Sequence, residues 1–261
     1  MAAMLLWGVL GFVVGWLINV ASDTWPFDKP FGVPACPQCG TPRTPAQWSG
    51  LPAFLARQSR CRNCGRRISW RWPLVELLSL LVCVVLYHLL GPTPVLWIVT
   101  LYTLVLLLIC IIDFEHRLIL NRVIYPAIAA ALVLSFVSPP MSPLNAVLGG
   151  LAGFALTGLI YLGGKAFVML QARSGRIIDE VAFGQGDVSL MLFIGLITGV
   201  PEVIQALVMG ILIGGVVALA IIVYGATQRQ SKLYVPYAYG PYLALAGWLV
   251  LMQRALTVPP A

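Results

Sequence analysis

The chain has 261 residues, of which 60% are hydrophobic and only 10% are charged, and its formal net charge is +7. Ordinary soluble domains hold about a quarter charged residues, so this composition excludes a soluble globular protein. We therefore predict an all-α polytopic membrane protein, with the lipid bilayer as its first partner.

The membrane helices are predicted from apolar runs in the sequence. A run must have about 17 to 25 residues to span the bilayer as a helix. Glycine and proline residues in turns such as "GPTP" at 91–94 separate them. We expect about eight transmembrane helices, some of them short, at 4–22, 73–90, 95–113, 123–138, 145–171, 188–200, 203–224 and 236–252. The first run lacks a basic n-region and a clear cleavage site, so we interpret it as a retained helix and not as a signal peptide.

Positive charge is concentrated in one predicted loop, 23–72, which holds half of the 16 Lys and Arg residues. Because basic loops stay in the cytoplasm, this loop is expected to be cytoplasmic and the N-terminus outside, in a cell (inner or plasma) membrane. The loops at 114–122, 172–187 and 225–235 then face inward as well. Lys165 is expected to snorkel to the same face, while Arg254 lies outside. A one-sided charge fits anionic inner-leaflet lipids and does not require nucleic acid.

The basic loop contains two Cys-x-x-Cys pairs, "CPQC" at 36–39 and "CRNC" at 61–64. This spacing is typical of a four-thiolate zinc site, and disulfides rarely persist in the cytoplasm. The alternative is a redox or incidental set of thiols. Glycine follows each pair, as tight metal turns prefer, and no thioredoxin-like pattern surrounds them. We predict one structural Zn²⁺ held by Cys36, Cys39, Cys61 and Cys64; Cys83 and Cys110 lie in apolar runs and are expected to be small core residues.

Two of the nine acidic residues lie at the edges of apolar runs. Asp113 ends the third run and Asp187 opens the sixth, so the topology places both at the cytoplasmic rim, where they can meet. A helix N-cap is the alternative for Asp187. Asp113 opposes the dipole at a helix C-terminus, which favours a function, although an ion pair with Arg117 or Arg122 is the alternative.

Two carboxylates in a partly desolvated site share a proton. The charged carboxylate can then activate water while the neutral one donates to a carbonyl oxygen, which is the chemistry of an aspartyl protease. Gly184 and Gly186, just before Asp187, let a substrate backbone approach closely.

Five segments resemble the type IV prepilin peptidase (prepilin leader peptidase/N-methyltransferase) family, in the family's order and along nearly the whole chain. They are "GFVVGWLINVASDTWP", the paired "CPQC" and "CRNC" with the following "ISWRWPLVELL", "IIDFEHRLILN", the Gly-x-Gly-Asp motif "GQGD", and "VPYAYGPYLALAG". The resemblance implies that Asp113 and Asp187 are the catalytic pair. It also implies three domains: a first helix at 1–22, a zinc-binding loop at 23–72 and a protease domain at 73–261.

Members of this family cut the basic leader from prepilins and pseudopilins of type IV pilus and type II secretion systems, at a Gly–Phe-like junction on the cytoplasmic side. Many then methylate the new N-terminus with S-adenosylmethionine. No glycine-rich nucleotide-binding fingerprint follows a strand here, so S-adenosylmethionine is implied by the resemblance alone. The prepilin served and the oligomeric state stay open.

The sequence departs from the family pattern at Leu120, Ser189 and Thr24, where proline, lysine and arginine are common. His116 can tune Asp113 or simply be solvated, and Glu76 can structure the end of the zinc loop or serve methyl transfer. Two other classes remain as alternatives. A transporter would place its carboxylates near the bilayer midplane, whereas a zinc-bearing membrane adaptor would need no aspartate pair.

Overall fold

The computed structural model describes residues 2–137, 142–173, 184–227 and 238–257, and every regular element within them is helical. These ranges contain nine α-helices: α1 (Ala2–Thr24), α2 (Gly50–Leu55), α3 (Arg71–Leu90), α4 (Pro94–His116), α5 (Asn121–Ser135), α6 (Pro143–Arg173), α7 (Gln185–Thr198), α8 (Glu202–Thr227) and α9 (Gly240–Thr257). Short 3₁₀ turns lie at Trp25–Phe27 and Pro45–Gln47. The predicted all-α class is confirmed.

A helix lies at each of the eight positions predicted to span the membrane, but their lengths differ. Among the described residues, α1, α3, α4, α6 and α8 are long and apolar enough to cross a bilayer. The helices α5 and α7 have only 15 and 14 residues, about 21 to 23 Å at the rise of an α-helix, against a hydrocarbon core of about 30 Å. Five candidate spans are therefore supported, and eight crossings stay a prediction.

Two compact units make up the chain, Met1–Leu96 and Trp97–Ala261. In the first unit, α1 packs along α3 through a stripe of glycines. A Cβ on Gly11 would overlap the Ser79 carbonyl oxygen, and one on Gly15 would lie 2.9 Å from the Cα of Glu76. The absence of side chains lets the two helix backbones approach closely, as small residues do between membrane helices. The predicted domain boundaries at 22 and 72 stay predictions.

The second unit is built around α7, in which ten of the 14 residues are buried. Helices α5, α6, α8 and α9 pack against it. The closest approach is to α6, where Gly149 and Gly195 bring the two backbones together so tightly that a Cβ on either would overlap the other's carbonyl oxygen. From α4, Tyr102 meets Phe193 edge to face with 5.9 Å between ring centroids. Because protein surrounds α7, it does not need the length of a lipid-exposed span.

The outer helix faces are apolar, as a lipid environment requires. On α8, for example, Leu212, Val216 and Leu219 are each more than 60% exposed. Large exposed apolar surfaces are rare on soluble monomers and mark membrane or protein contact.

Two basic residues that the topology singled out have partners. Lys165 places its Nζ 4.7 Å from the centre of the Tyr161 ring. Arg254 on α9 donates to the carbonyl oxygen of Thr198 at the end of α7 and pairs with Glu202 at 3.2 Å. The predicted inward loops at 172–187 and 225–235 lie mostly outside the described residues.

Candidate active site and metal centre

Asp113 lies in the last turn of α4 and is only 5% exposed. The helix ends just after it, because Arg117 adopts a left-handed backbone conformation (φ 54°) and donates its N–H to the Asp113 carbonyl oxygen at 2.8 Å. The Asp113 carboxyl accepts the backbone N–H of Gly240. Its Oδ2 atom has no hydrogen-bond partner among the described residues.

Asp187 lies in the first turn of α7 and is 8% exposed. The N-cap is Gly184, three residues earlier, and α7 begins at Gln185 instead of the predicted 188. Asp187 donates its N–H to the Gly184 carbonyl oxygen at 3.1 Å, and its Oδ2 accepts the Gly184 N–H at 2.8 Å. This reciprocal pair extends the helix to include the glycine motif. Asp187 therefore helps to cap α7 without being the N-cap residue itself.

The structure brings the two aspartates together. The Asp113 carboxyl interacts electrostatically with that of Asp187. Ile119, in the turn after α4, packs between the starts of α7 and α9. A Cβ on Gly186 would lie 2.9 Å from the Cβ of Ile119, and one on Gly240 would lie 3.4 Å from its Cδ1. Three chain segments that are distant in sequence, at 113–119, 184–187 and 240, thus form one buried site.

The basic and imidazole groups near Asp113 do not neutralise it. Among the described residues no arginine forms an ion pair with Asp113, so neither Arg117 nor Arg122 takes the role that the alternative assigned to it. His116 lies with its Nε2 3.7 Å from Glu115 Oε2. The Asp113 carboxyl consequently meets a backbone amide and another carboxyl.

The departures from the family pattern have local explanations at two positions. Leu120 is the N-cap of α5 with φ −74°, a value that proline also adopts, so leucine keeps the backbone that proline would impose. The Thr24 hydroxyl donates to the Val20 carbonyl oxygen at 2.8 Å and closes α1. Ser189 is half-buried on α7, and nothing in the structure explains the absence of lysine there.

The four cysteines of the basic loop converge, with their Sγ atoms all within 4.8 Å of one another. Two pairs, Cys36 with Cys64 and Cys39 with Cys61, are 3.6 Å apart. Four thiolates about 2.3 Å from a zinc ion lie about 3.8 Å from one another at the corners of a tetrahedron. The cluster therefore has the dimensions and the donor set of a closed zinc site.

The two halves of the cluster repeat the same backbone geometry. The N–H of Gly40 donates to the carbonyl oxygen of Cys36 at 2.9 Å, and the N–H of Gly65 donates to the carbonyl oxygen of Cys61 at 3.0 Å. Both glycines have a positive φ, 70° and 71°, which side chains disfavour. Within the cluster, hydrogen bonding with Thr41 lowers the pKa of the Cys39 thiol, whereas burial and the neighbouring thiols raise the pKa of Cys64.

Glu76, in the second turn of α3, joins the loop to this helix. It is fully buried, and its carboxylate accepts hydrogen bonds from the Ser49 hydroxyl and from the N–H groups of Gly50 and Leu51, at 2.7 to 2.8 Å. These donors form the N-terminus of α2, a helix that the sequence analysis did not predict. The contacts favour the structural role for Glu76.

A second anchor of the loop is an aromatic and ionic cluster that the sequence analysis missed. Asp23 accepts from Arg71 at 2.5 Å and from the Trp72 indole at 3.2 Å, and the guanidinium of Arg43 lies 4.1 Å from the centre of the Trp72 ring. The signal for it was the "RWP" sequence at 71–73, which puts a charge and a large ring at the start of α3, together with Asp23 in the last turn of α1.

Comparisons with known proteins match both parts of the chain. Residues 100–219 match the model of the type IV leader peptidase family, and residues 9–90 match that of the bacterial peptidase A24 N-terminal domain. No solved structure matches.

Three similar proteins are prepilin leader peptidase/N-methyltransferases. The protein of Aeromonas salmonicida (strain A449) is 31% identical over 217 residues, which are 83% of this chain and 70% of the relative. That of Pseudomonas putida is 27% identical over 87% of this chain and 74% of the relative. That of Bacillus subtilis (strain 168) is 26% identical over 88% of this chain and 87% of the relative.

Proposed function

The chain belongs to the type IV leader peptidase family, and on that premise we propose that it is a membrane aspartyl endopeptidase that removes the leader peptide from prepilins and pseudopilins at the cytoplasmic membrane face. Asp113 and Asp187 form its catalytic pair. The observation that carries this proposal is their burial together at the ends of α4 and α7, without a neutralising arginine at Asp113 among the described residues.

The reaction follows from the pairing of the two carboxyl groups. Because two adjacent carboxylates repel, one of them keeps a proton. The ionised carboxyl takes a proton from a water molecule, whose oxygen attacks the scissile carbonyl carbon, while the protonated carboxyl donates to the carbonyl oxygen. Collapse of the tetrahedral intermediate breaks the C–N bond and passes a proton to the amine. The products are a leader with a new carboxylate and a pilin with a free N-terminal amine.

Several features of the site support this assignment. The unpartnered Oδ2 of Asp113 is available to hold the attacking water. Gly184 is exposed and carries no side chain at the start of α7, so an extended substrate backbone can approach Asp187 there, whereas Ile119 fills the space beside Gly186. A site at the inner rim of the bilayer suits a substrate with a basic leader in the cytoplasm and an apolar helix in lipid.

The zinc site has a supporting role in this proposal. Cys36, Cys39, Cys61 and Cys64 would hold one Zn²⁺ in a closed four-thiolate site, which has no open position for substrate and serves the fold of the loop. Methyl transfer to the new amine is part of the proposal because relatives of this chain are named N-methyltransferases. S-adenosylmethionine as the methyl donor rests on the family resemblance alone. We assign no residues to that cofactor.

The two rival functions lack comparable support. The transporter hypothesis predicted carboxylates near the bilayer midplane, but Asp113 and Asp187 lie at helix ends. The adaptor hypothesis leaves the buried aspartate pair without a purpose. The relatives are named as peptidases and not as members of either class.

The orientation of the basic loop can be tested in intact cells. Ala46→Cys places a thiol on an exposed position of the loop, and Pro92→Cys places one on the exposed turn between α3 and α4. A membrane-impermeant maleimide should label the Pro92→Cys variant and leave the Ala46→Cys variant unmodified. Labelling in the opposite pattern would reverse the topology and move the aspartates to the outer rim.

Cleavage itself is tested with purified enzyme in liposomes and a synthetic prepilin that carries a basic leader. Wild type should shift the substrate to the mass of the mature chain, and Asp113→Asn should not. The matched control is Asp28→Asn, because Asp28 is exposed and asparagine tolerates its positive φ of 53°. An uncut substrate with the wild type, or equal cleavage by Asp113→Asn, would refute the proposal.

A further inference from the structure

The first turn of α9 leaves one backbone donor directed at the active site. The N–H groups of Tyr242 and Leu243 both bond to the Tyr239 carbonyl oxygen, at 3.1 and 3.3 Å. Pro241 has no N–H. The remaining donor of this turn is the N–H of Gly240, and it hydrogen-bonds the Asp113 carboxyl.

Position 240 requires glycine because of space. A Cβ there would overlap Oδ2 of Asp113 and would lie 3.0 Å from its Cγ. The side chain of Ile119 also limits the space, because its Cδ1 would lie 3.4 Å from a Cβ at position 240. Since the φ of Gly240 lies outside the left-handed region, conformational freedom is not the reason. Any side chain at 240 would therefore push the Asp113 carboxyl away from its donor.

The two aspartates are held in matching ways at two helix N-termini. Asp187 accepts the Gly184 N–H at the start of α7, and Asp113 accepts the Gly240 N–H at the start of α9. Two neighbouring carboxyl groups repel when ionised, whereas the positive end of a helix dipole stabilises a negative charge near it. The N-termini of α7 and α9 thus offset part of the cost of bringing the aspartates together.

We propose that Gly240 is a positioning residue of the peptidase: its backbone N–H and its lack of a side chain hold the Asp113 carboxyl in the orientation that faces Asp187. This inference rests on the proposed function, because it assigns Gly240 a role through a catalytic aspartate. It predicts that α9 is needed for the chemical step and not only for the packing of the helices.

The test compares two glycine-to-alanine variants within the same unit. Gly240→Ala inserts a methyl group against Asp113, while Gly215→Ala on α8 inserts one where no atom lies within 4 Å. With the synthetic prepilin, Gly240→Ala should lower kcat about 10- to 100-fold at matched folded-enzyme concentration, since a displacement of about 1 Å at a catalytic group has this effect. KM should stay within about twofold, and Gly215→Ala should match the wild type.

A purely structural role for Gly240 would lower the yield of folded enzyme and leave kcat per folded molecule near the wild-type value, and that result would overturn the inference. If Gly240→Ala does not fold, glycolic acid incorporated at position 240 by nonsense suppression removes the N–H without adding an atom. A kcat within twofold of wild type for that ester would also overturn it.

The same assay separates this inference from the proposed function. If wild type cleaves and Asp113→Asn does not, the proposed function stands, and an unchanged kcat for Gly240→Ala refutes only the role of Gly240. If wild type fails to cleave, the proposed function itself has failed.

Discussion

The zinc loop and the aspartate site are assembled by opposite means. In the loop, each Cys-x-x-Cys pair builds its own tight turn, with Gly40 and Gly65 in the same conformation, and the two turns then meet. In the aspartate site, three segments from Asp113 to Gly240 meet only through helix packing. The comparison teaches that local spacing is enough to bring the four thiols together, whereas the pairing of the two aspartates depends on the packing of α4, α7 and α9.

The largest effect is expected from a substitution that destabilises the cysteine-containing loop and leaves peptide cleavage intact. Cys39→Ser should remove the zinc, and with it a metal-binding contribution of several kcal/mol or more to the loop. The protein that remains folded should cut prepilin within about twofold of the wild-type rate. Elemental analysis and protease susceptibility measure the first effect, and the mass assay measures the second.

Cys83→Ser is the control for that experiment, since Cys83 is buried between α1 and α3 away from the cluster. It should keep one zinc per chain. Wild-type protein purified without chelators and containing no zinc would contradict the metal assignment.

The next effect separates the two possible roles of Glu76. Glu76→Ala leaves three donors at the start of α2, one buried and two half-buried, without their acceptor, so it should destabilise the first unit by about 3 kcal/mol. Glu76→Gln keeps an acceptor and should lose less. Thermal unfolding measures both variants. Normal stability together with a selective loss of methylation would instead give Glu76 a role in methyl transfer.

A smaller effect is expected from substitutions in the glycine motif. They test whether helix packing positions the aspartate site. Gly186→Ala presses a methyl group to 2.9 Å from the Cβ of Ile119, whereas at Gly184 the nearest atom to a new Cβ is 3.6 Å away. Gly186→Ala should lower the cleavage rate about tenfold, roughly 1.4 kcal/mol. Gly184→Ala should lose less, because it only replaces an N-cap glycine. The reverse order would mean that Ile119 does not set the position of α7.

The smallest effect concerns the turn between α4 and α5. Leu120 has a backbone conformation that proline adopts, so Leu120→Pro should keep wild-type cleavage and raise the stability of the fold by about 0.4 to 1 kcal/mol. Denaturant unfolding measures the change. A large loss of stability would show that the family's proline does not suit this turn.

Much of the fold and the site could be predicted from the sequence. Hydrophobic runs located the eight membrane-related helices, and the cysteine spacing identified all four clustered thiols. The topology predicted from the basic loops puts Asp113 and Asp187 on one side of the membrane, and from it we expected the two residues to meet.

The rest depends on tertiary contacts that leave little local signal. From its sequence, α7 is only a weak candidate for a membrane-spanning helix because it is short. Its burial comes from packing against α5, α6, α8 and α9, which the sequence of α7 does not show. Gly240 looks like an ordinary helix-start glycine until Asp113 is seen against it. Similarly, Glu76 near the start of an apolar helix gives no sign that it caps α2, whose first residue, Gly50, lies 26 residues earlier in the chain.

The central claim is that Asp113 and Asp187 act as one unit, and a double-mutant cycle on prepilin cleavage tests it most directly. Asp113→Asn and Asp187→Asn should each lower the initial rate by about 100-fold or more at matched folded-enzyme concentration. The double variant should be no slower than either single variant, because groups that share one proton fail together. Losses that multiply in the double variant, or a single variant that keeps more than about a tenth of the rate, would contradict the account.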